Sequence, residues 1–442
     1  MTDVATAPDH FDPPGDKPAD RSFASSIRSM EIDTRLLGML VALLVIWITF
    51  HVWSGGTFLT PRNLWNLTVQ TSAVAIMATG MVLIIVSRNI DLSVGAMLAV
   101  VGMWMALLQA EILPDILGFD SPWTWVITLV AGITFGALIG AFQGAIVAYV
   151  GVPSFIVTLG GLLIWRGAAW AMASGRTISP MDNIFGRFGG GGGLEGTIGG
   201  GWSWIVGISA SIGIVFLLIN SRRRRVRYGF KLRPRWADYT IGVIGVGVIL
   251  GAIFYLNRYY LPELLARQEA EAQGIAWPAD GLNISLGLAN PVLLAIVVAL
   301  VMTFVATRLS FGRYIFAIGG NPEAAELAGI NTKVTTVKTF ALMGILVAIA
   351  AAVQIARLDA AVSGLGQLTE LYVIAAAVIG GTSLSGGIGT IPGAVLGALV
   401  MQSLQSGMVL VGVDAPLQDI AVGVVLVLAV ALDTFYRRRS TA

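Results

Sequence analysis

The sequence predicts an all-α integral membrane protein, a polytopic helical bundle with about twelve transmembrane helices. The chain has 442 residues, of which 56% are hydrophobic and only 12% are charged, whereas soluble domains carry roughly 25% charged residues. Several apolar runs of about 20 residues are each long enough to cross a bilayer core of ~30 Å as a helix. Backbone groups in lipid must be satisfied internally, so these runs form helices rather than open strands.

Twelve apolar runs are candidate spans, and two regions among them are irregular. Residues 371–412 contain GGTSLSGGIGTIPGA, a glycine-rich break that either splits a span or forms a re-entrant pair near residues 380–393. The pair near residues 202–256 has the character of an insertion, because it follows the glycine run Gly189–Gly193 and encloses a basic loop. The runs lie near residues 36–53, 64–86, 94–112, 124–150, 153–174, 202–219, 236–256, 290–307, 334–356, 371–386, 393–412 and 416–435.

The distribution of basic residues predicts that both chain ends lie in the cytoplasm. With the N-terminus inside, the inner segments carry 20 of the 27 Lys and Arg residues, and the outer segments carry six. The remaining one, Arg166, lies within a span. The densest basic cluster, SRRRRVRYGFKLRPR, lies in the loop at residues 220–235. Gaining or losing a span before Ser221 would move this cluster to the outside.

The chain divides into one membrane domain between two short tails. The first 35 residues carry charges of both signs and several prolines, which predicts a disordered tail rather than a signal peptide. Glu263, Glu269 and Glu271 predict a surface helix in the external segment. The predicted divisions are a cytoplasmic tail at 1–35, a transmembrane domain at 36–436 with a basic cytoplasmic loop at 220–235, an external loop at 257–289 and a cytoplasmic loop at 308–333, and a cytoplasmic tail at 437–442.

Several classes of function are excluded or disfavoured by composition. The chain has no cysteine and only two histidines, His10 and His51, so we expect no disulfide, no metal site and no catalytic triad. It has no G-x-x-x-x-G-K-[ST] loop, so it does not bind ATP through that motif, and we expect no cofactor. The basic cluster at Arg222–Arg235 would fit nucleic acid in a soluble protein. Next to membrane spans it is better explained as a topology signal that contacts anionic lipid.

The segment between two long apolar runs at residues 308–333 predicts a docking element. It reads RLSFGRYIFAIGGNPEAAELAGIN as far as Asn331. Asn321 can cap a helix that starts at Pro322, and Gly329 can adopt the left-handed turn that ends it. Such a helix of about two turns is too short to be stable alone. It is either a well-capped loop or a surface presented to a soluble partner. The predicted docking residues are Gly319, Gly320, Asn321, Pro322, Glu323, Ala324, Ala325, Leu327, Gly329 and Ile330.

A second polar motif, SRNIDLSVGAM at Ser87–Met97, lies between the second and third spans. Asp91 and Ser93 precede an apolar helix, so their side chains are candidates for an N-cap. Asn89, Asp91 and Ser93 are also candidates for lining a permeation path or its inner gate, because polar groups near membrane depth usually face a cavity. The two roles are compatible.

Arg166 lies about 13 residues into its span, roughly 20 Å from the start of the helix. It either extends its guanidinium to the outer face or neutralises carbonyls or a carboxylate inside the bundle. As a possible donor to a neutral, hydroxyl-rich solute, Arg166 is also a candidate residue of the translocation path. The glycine-rich break adds Thr382, Ser383 and Ser385 to the candidate translocation path, since broken helices expose backbone groups that bind polar solutes. Close helix packing is the alternative explanation for its small residues.

Four motifs in order resemble the permease subunits of bacterial ABC importers for monosaccharides. They are GMVLIIVSRNIDLSVGAM, PSFIVTLGGLLIWRG, FGRYIFAIGGNPEAAELAGIN and YVIAAAVIGGTSLSGGIGTIPGAVLGAL, and the likeness runs from about Leu36 to Arg437. The chain is most similar to the longer, xylose type of this family, in which a pair is added to the ten-helix core of the ribose type. Ser87, Arg88 and Asn89 depart from the Gly-Gly pair that ribose-type members have before Ile-Asp-Leu-Ser.

The resemblance implies a permease without catalytic residues in the bacterial inner membrane. Two permease chains, here a homodimer, would form the pathway. A cytoplasmic ATP-binding subunit would dock on the segment from Gly319 to Asn331, and a periplasmic protein would deliver a monosaccharide, D-xylose or a related sugar. Two alternatives stay open at this point. An ion-coupled secondary transporter would use membrane carboxylates, but Asp91 and Glu370 lie near span ends. A membrane-embedded enzyme would need a nucleophile–base pair or a metal cluster.

Overall fold

A computed structural model describes residues 34–118, 121–191, 193–272, 274, 276–278 and 281–441. Side chains are not described for Thr34, Arg35 and residues 432–441. The tail predicted at 1–35 therefore lies outside the described residues, apart from its last two positions, where the first helix begins. Within the described part of the chain, β-structure is limited to isolated bridges such as Ile178–Ala361.

The described residues form a helical bundle. The main helices are α1 (Thr34–Trp53), α2 (Pro61–Val86), α3 (Val94–Leu107), α4 (Thr124–Ala145), α5 (Ser154–Ala173), α6 (Gly199–Arg227), α7 (Arg235–Leu256), α8 (Glu263–Ala272), α9 (Asn290–Arg308), α10 (Ser310–Gly320), α11 (Pro322–Leu327), α12 (Thr332–Leu358), α13 (Thr369–Ile379), α14 (Ile391–Leu410) and α15 (Ala415–Thr441). Turns of π-helix at Leu108–Ile112 and Ile146–Val150 prolong α3 and α4.

Ten of the described helices are long and apolar enough to cross a membrane. They are α1 to α7, α9, α12 and α14. The other two predicted spans correspond to shorter apolar helices at Thr369–Ile379 and Ala415–Ala431. The first of these, α13, is about 16 Å long at 1.5 Å per residue, which is half of a bilayer core. The polytopic helical class predicted from the sequence is therefore confirmed, with α13 as a half-length helix.

The centre of the bundle is built on α2 and α12. The spanning window of α2 is 94% buried. Helix α12 crosses α4 along a seam where glycines allow the two backbones to touch. A Cβ added at Gly140 would lie 2.1 Å from the carbonyl oxygen of Phe340, and one at Gly136 would lie 2.4 Å from that of Gly344. This contact is the close packing that small residues permit in membrane helices.

The pair predicted as an insertion forms a peripheral hairpin of α6 and α7. Only 11% of the spanning window of α7 is buried. Helix α6 continues through Arg227, so the non-helical part of the basic segment is shorter than the predicted loop at 220–235. Arginine is a good helix former, and cations are stabilised near a helix C-terminus. Similarly, α15 extends through Thr441 into the predicted tail at 437–442.

The glycine-rich break separates α13 from α14, and a second irregular stretch precedes α13. Residues 359–368 join α12 to α13 and pass deep into the bundle, although the sequence places them in an outer loop. Arg166, about 18 Å along α5 from Ser154 at 1.5 Å per residue, donates a hydrogen bond to the carbonyl oxygen of Leu365 at 2.6 Å. A Cβ at Gly95, in the first turn of α3, would lie 2.4 Å from the carbonyl oxygen of Gly366.

Candidate functional site

The segment predicted to dock a partner folds as a short helix with a cap at each end. The side chain of Asn321 accepts a hydrogen bond from the backbone N–H of Ala324 at 3.0 Å, and Pro322 occupies the first helical position. At the other end, the N–H of Gly329 bonds the carbonyl of Glu326, and the N–H of Ile330 bonds that of Ala325. This pair of bonds is a Schellman motif, and Gly329 has the positive φ of +83° that it requires.

Helix α11 buries one side chain and presents the rest. Ala325 is 5% exposed, whereas Leu327 is 91% exposed. Glu323 and Glu326 are also exposed. An isolated leucine on a surface needs no explanation, but here it stands on a rigidly capped helix between two membrane helices. The geometry predicted for this segment is confirmed. Its role in docking stays a prediction.

The side chain of Arg88 links the turn after α2 to the docking segment by two hydrogen bonds. Its Nε donates a hydrogen bond to the carbonyl oxygen of Gly319, and one terminal nitrogen donates to that of Gly320, both at 2.7 Å. These two carbonyls belong to the last turn of α10, where they have no partner within the helix. The bonds span 231 and 232 residues of sequence. From the sequence alone, Arg88 has no predicted role beyond its charge and its contribution to topology.

Arg88 has a backbone conformation that glycine adopts more readily than any other residue. Its φ is +63°, in the left-handed region, which glycine enters without steric cost and other residues do not. Position 88 is thus a turn that favours glycine but holds arginine in this chain. A long basic side chain next to the end of an apolar helix was the available signal for a structural contact at this position.

Three backbone segments meet at this place, which we call the junction: residues 86–89, 319–320 and 386–387. The N–H of Gly387 donates a hydrogen bond to the carbonyl of Val86 at 3.0 Å. A Cβ on Gly319 would lie 1.8 Å from the same carbonyl oxygen and 2.5 Å from the backbone nitrogen of Gly387. The junction therefore joins the docking segment to the turn after α2 and to the glycine-rich break.

Asp91 and Ser93 form a buried polar cluster at the start of α3. Oδ1 of Asp91 accepts hydrogen bonds from the backbone N–H of Ser93 at 2.9 Å and from its hydroxyl at 2.6 Å. Ser93 holds the cap position, but its own side chain makes no capping bond. Its hydroxyl also lies 3.1 Å from Oε1 of Gln143. Asn89 bonds only locally, to the backbone and hydroxyl of Ser87.

The other candidate path residues lie in two separate places. Thr382 and Ser383 are fully buried within the glycine-rich break, and the hydroxyls of Ser383 and Ser385 lie 2.8 Å apart. Arg166 lies apart from them and donates to the carbonyls of Ser363 at 3.3 Å and Leu365 at 2.6 Å. Of the two environments predicted for Arg166, the structure has the one in which it neutralises carbonyls inside the bundle. Because Asp91, Ser93, Thr382 and Ser383 are at most 1% exposed, they do not face an open cavity.

A set of amide side chains on the central helices was not predicted to be functional from the sequence. Asn63, Asn66 and Gln70 lie three and four residues apart on α2, and Gln402 and Gln405 lie three apart on α14. Residues at these spacings share one face of a helix. A polar stripe on an otherwise apolar span was the available signal. The structure brings both stripes to one cavity.

Comparison with known proteins assigns the family. The family described as "Branched-chain amino acid transport system / permease component" matches residues 63–430. The xylose transport system permease protein of Escherichia coli is 36% identical over 416 residues, which are 94% of this chain and 95% of that protein. The corresponding protein of Haemophilus influenzae is 38% identical over 401 residues, 91% of this chain and 96% of that protein.

The ribose import permease protein of Escherichia coli is more distant. It is 32% identical over 394 residues, which are 89% of this chain and 92% of that protein. No solved structure matches the chain. One conclusion follows from these comparisons, because the family matches residues 63–430 and the sequence identity to these permeases extends over most of both chains. The chain belongs to the permease-component family of these transport systems, and it is a multi-pass helical membrane protein.

Proposed function

We propose that this chain is the permease subunit of an ABC importer that carries a monosaccharide, D-xylose or a related sugar, across the bacterial inner membrane. Membership of the family implies an ATP-binding partner and a substrate-binding partner, and a permease component is not itself catalytic. The family description mentions branched-chain amino acids, but the relatives that match over about nine-tenths of the chain are described by xylose and ribose. The descriptions of those relatives favour a sugar as the solute that this permease carries.

The observation that carries the proposal is the capped helix α11 with Leu327 91% exposed. A helix of six residues is not stable by itself, so the two caps and the contact of Ala325 fix it in place. The exposed leucine and the two exposed glutamates form a small apolar and acidic surface. We assign this surface to the cytoplasmic ATP-binding subunit.

The charge pattern supports the orientation. The docking segment, the turn at Arg88 and the basic segment between α6 and α7 belong to the inner side under the positive-inside rule. In this orientation both termini are cytoplasmic, and α8 lies in the periplasm, where a sugar-binding protein would dock. The arginines from Arg222 to Arg227 continue α6 as a helix, at a height suited to anionic lipid headgroups.

The geometry supports a mechanism of coupling. ATP-driven movement of the ATP-binding subunits displaces α11, and the junction passes the displacement to α2 through Arg88 and to the glycine-rich break through Gly387. The buried cluster at Asp91 and the buried hydroxyls of Thr382 and Ser383 adjoin these elements and would act as the inner gate. Two such chains would form the complete pathway, because one ABC importer contains two permease halves and this chain supplies one.

The test is copurification of the ATP-binding subunit from gently solubilised native membranes. We compare the wild type with a chain in which residues 321–329 are replaced by a Gly/Ser linker, and with Leu327→Glu. The matched control is Leu264→Glu, because Leu264 is also strongly exposed, at 71%, but lies on α8. We expect both docking variants to lose the ATPase and the control to keep it. Well-folded wild-type protein that retains no ATPase would refute the proposal.

An ion-coupled secondary transporter is the second candidate, and one observation favours it. Asp91 and Glu370 are 1% and 6% exposed, so both carboxyls are buried, although Asp91 immediately precedes α3 and Glu370 lies in the first turn of α13, near span ends as the sequence predicts. If coupling to an ion gradient drives transport, Asp91→Asn and Glu370→Gln should remove the response of uptake to an imposed proton or sodium gradient. ATP-dependent uptake that is indifferent to such gradients in the wild type would eliminate this candidate.

A further inference from the structure

A polar cavity of about 390 Å³ opens among α2, α12, α13 and α14, at the opposite end of the bundle from the junction. It reaches well below the end of the helices: Gln70 is the tenth residue of α2, which places it about 14 Å from the start of that helix at 1.5 Å per residue. The lining contains seven Asn and Gln side chains and one arginine, Arg357, but no carboxylate.

The amide side chains at the base of the cavity satisfy only part of their hydrogen-bonding capacity with one another. Nε2 of Gln402 donates to Oε1 of Gln70 at 3.2 Å and to Oε1 of Gln405 at 3.0 Å. Each amide has two donor hydrogens and a carbonyl oxygen with two lone pairs. The amide nitrogens of Gln70 and Gln405 and the carbonyl oxygen of Gln402 make no hydrogen bond with the residues that the structure describes. These groups are available to a solute.

Arg357 adds a charged donor without a partner. It is half-buried at the end of α12, and its guanidinium forms no hydrogen bond or ion pair within the described chain. By contrast, Arg166, a half-buried arginine of α5, is paired with two carbonyls. An unpaired guanidinium is costly to desolvate unless the site receives a ligand or water. Tyr372, which is 7% exposed, supplies an aromatic wall beside these groups.

We propose that this cavity is a binding site for a neutral, polyhydroxylated solute on its way through the permease, with Gln70, Gln402, Gln405 and Arg357 as its hydrogen-bonding groups. The inference rests on the proposed function for its substrate class. A hydroxyl group both donates and accepts hydrogen bonds. It is therefore complementary to an amide side chain, which also does both. An anionic solute would meet one cation and seven uncharged amides, which is weak compensation for removing its charge from water. The site is thus suited to sugars rather than to acids.

The first test uses the absence of native cysteines. A single cysteine introduced by Ser406→Cys, at a position that lines the cavity but is not one of the four proposed hydrogen-bonding groups, is the only target of a membrane-impermeant maleimide in the intact permease. We expect D-xylose to slow its labelling and D-xylonate, the corresponding carboxylate, to have no effect. The control is Gln418→Cys, since Gln418 lies at the same end but outside the cavity and bonds the carbonyl of Val413. Its labelling should not respond to the sugar. Equal labelling of Ser406→Cys with and without sugar, or stronger protection by D-xylonate, would overturn the inference.

The second test measures uptake of radiolabelled D-xylose into proteoliposomes containing the permease, its ATP-binding subunit and the binding protein. Gln402→Met and Arg357→Met keep much of each side chain's length but remove its donors. We expect uptake to fall by about tenfold or more, as the loss of one or two hydrogen bonds to a solute predicts, while the ATPase still copurifies. Gln418→Met should behave as wild type. Wild-type uptake in both cavity variants would contradict the inference.

The two proposals fail in different ways. If the chain is not an ABC permease, the wild type retains no ATPase, yet protection of Ser406→Cys by sugar still supports the cavity. If the cavity is not the binding site, the ATPase copurifies and ATP-driven uptake proceeds, yet the cysteine is unprotected and the two methionine variants transport normally.

Discussion

Arg88 and Gly319 are joined by a hydrogen bond of 2.7 Å from the guanidinium Nε to the backbone carbonyl oxygen, across 231 residues of sequence. The side chain that makes it sits on a residue with a φ of +63°. A left-handed residue other than glycine costs roughly 1–2 kcal/mol. The chain retains arginine there, and the bonds to Gly319 and Gly320 offset the cost by holding the end of the docking segment against α2.

Replacing Arg88 should separate coupling from stability. Arg88→Gly relieves the left-handed backbone while removing both bonds, so we expect nearly normal yield and thermal stability but reduced sugar-stimulated ATP hydrolysis. Arg88→Asn also tolerates this backbone and is too short to reach Gly320, so it should behave alike. The measurement is ATPase stimulation by the loaded binding protein in the assembled complex. Full stimulation in both variants would show that the arginine does not contribute to coupling.

Gly319 and Gly320 are adjacent, but we expect alanine to destabilise the permease at position 319 and to be tolerated at position 320. The new Cβ of Gly319→Ala would lie 1.8 Å from the carbonyl oxygen of Val86, whereas that of Gly320→Ala meets nothing within 4 Å. We expect the first to destabilise the permease by about 3 kcal/mol, as overpacking against a fixed backbone does, and the second to be neutral. Thermal unfolding in detergent compares them. Equal melting temperatures would mean that the junction is not tightly packed.

Gly329 tests the turn that ends the docking helix. A Cβ there meets no atom within 4 Å, so any effect of a substitution arises from the positive φ alone. Gly329→Val should cost about 1–2 kcal/mol, enough to loosen a helix of six residues and weaken retention of the ATPase. Gly329→Asn tolerates the left-handed conformation and should retain it. If valine and asparagine retain the ATPase equally, the cap is not required for docking.

Arg166 should be needed for the irregular stretch before α13. Arg166→Leu leaves the carbonyls of Ser363 and Leu365 without their donor, at a cost of about 1–3 kcal/mol for buried groups. We expect a lower melting temperature and impaired uptake. Arg176→Leu is the control, because Arg176 forms an exposed ion pair with Glu111 and such pairs contribute less than about 1 kcal/mol. A wild-type melting temperature for Arg166→Leu would contradict this assignment.

The features that could be predicted from the sequence are those set by neighbouring residues. The cap at Asn321, the start at Pro322 and the stop at Gly329 are all encoded within nine positions. The surface helix containing Glu263, Glu269 and Glu271 likewise appears as α8. Apolar run lengths predicted the spans, although composition could not show that α13 is a half-length helix.

The features that could not be predicted depend on residues far apart in sequence. The partners of Arg166 lie 197 and 199 residues away, in a stretch that composition assigns to an outer loop. The cavity lining comes from four helices and from Gln367 in the stretch before α13, and only the packing of α2 against α14 brings Gln70 and Gln402 into contact. The junction could not be predicted, because a glycine in the sequence does not indicate which backbone segment it will contact in the fold.

The glycine seam between α4 and α12 bears on how the molecule moves. Interdigitated side chains resist sliding, because each must change rotamer before the helices can shift. At Gly136, Gly140 and Gly144 the backbone of α4 lies directly against α12, so at these positions α4 has no side chain that must change rotamer when α12 shears along it. Helix α12 begins beside the docking segment and ends at the cavity, about 40 Å away at 1.5 Å per residue. One continuous helix therefore links the docking segment to the cavity. A displacement of the first turn of α12 would be transmitted to Arg357 in its last turn.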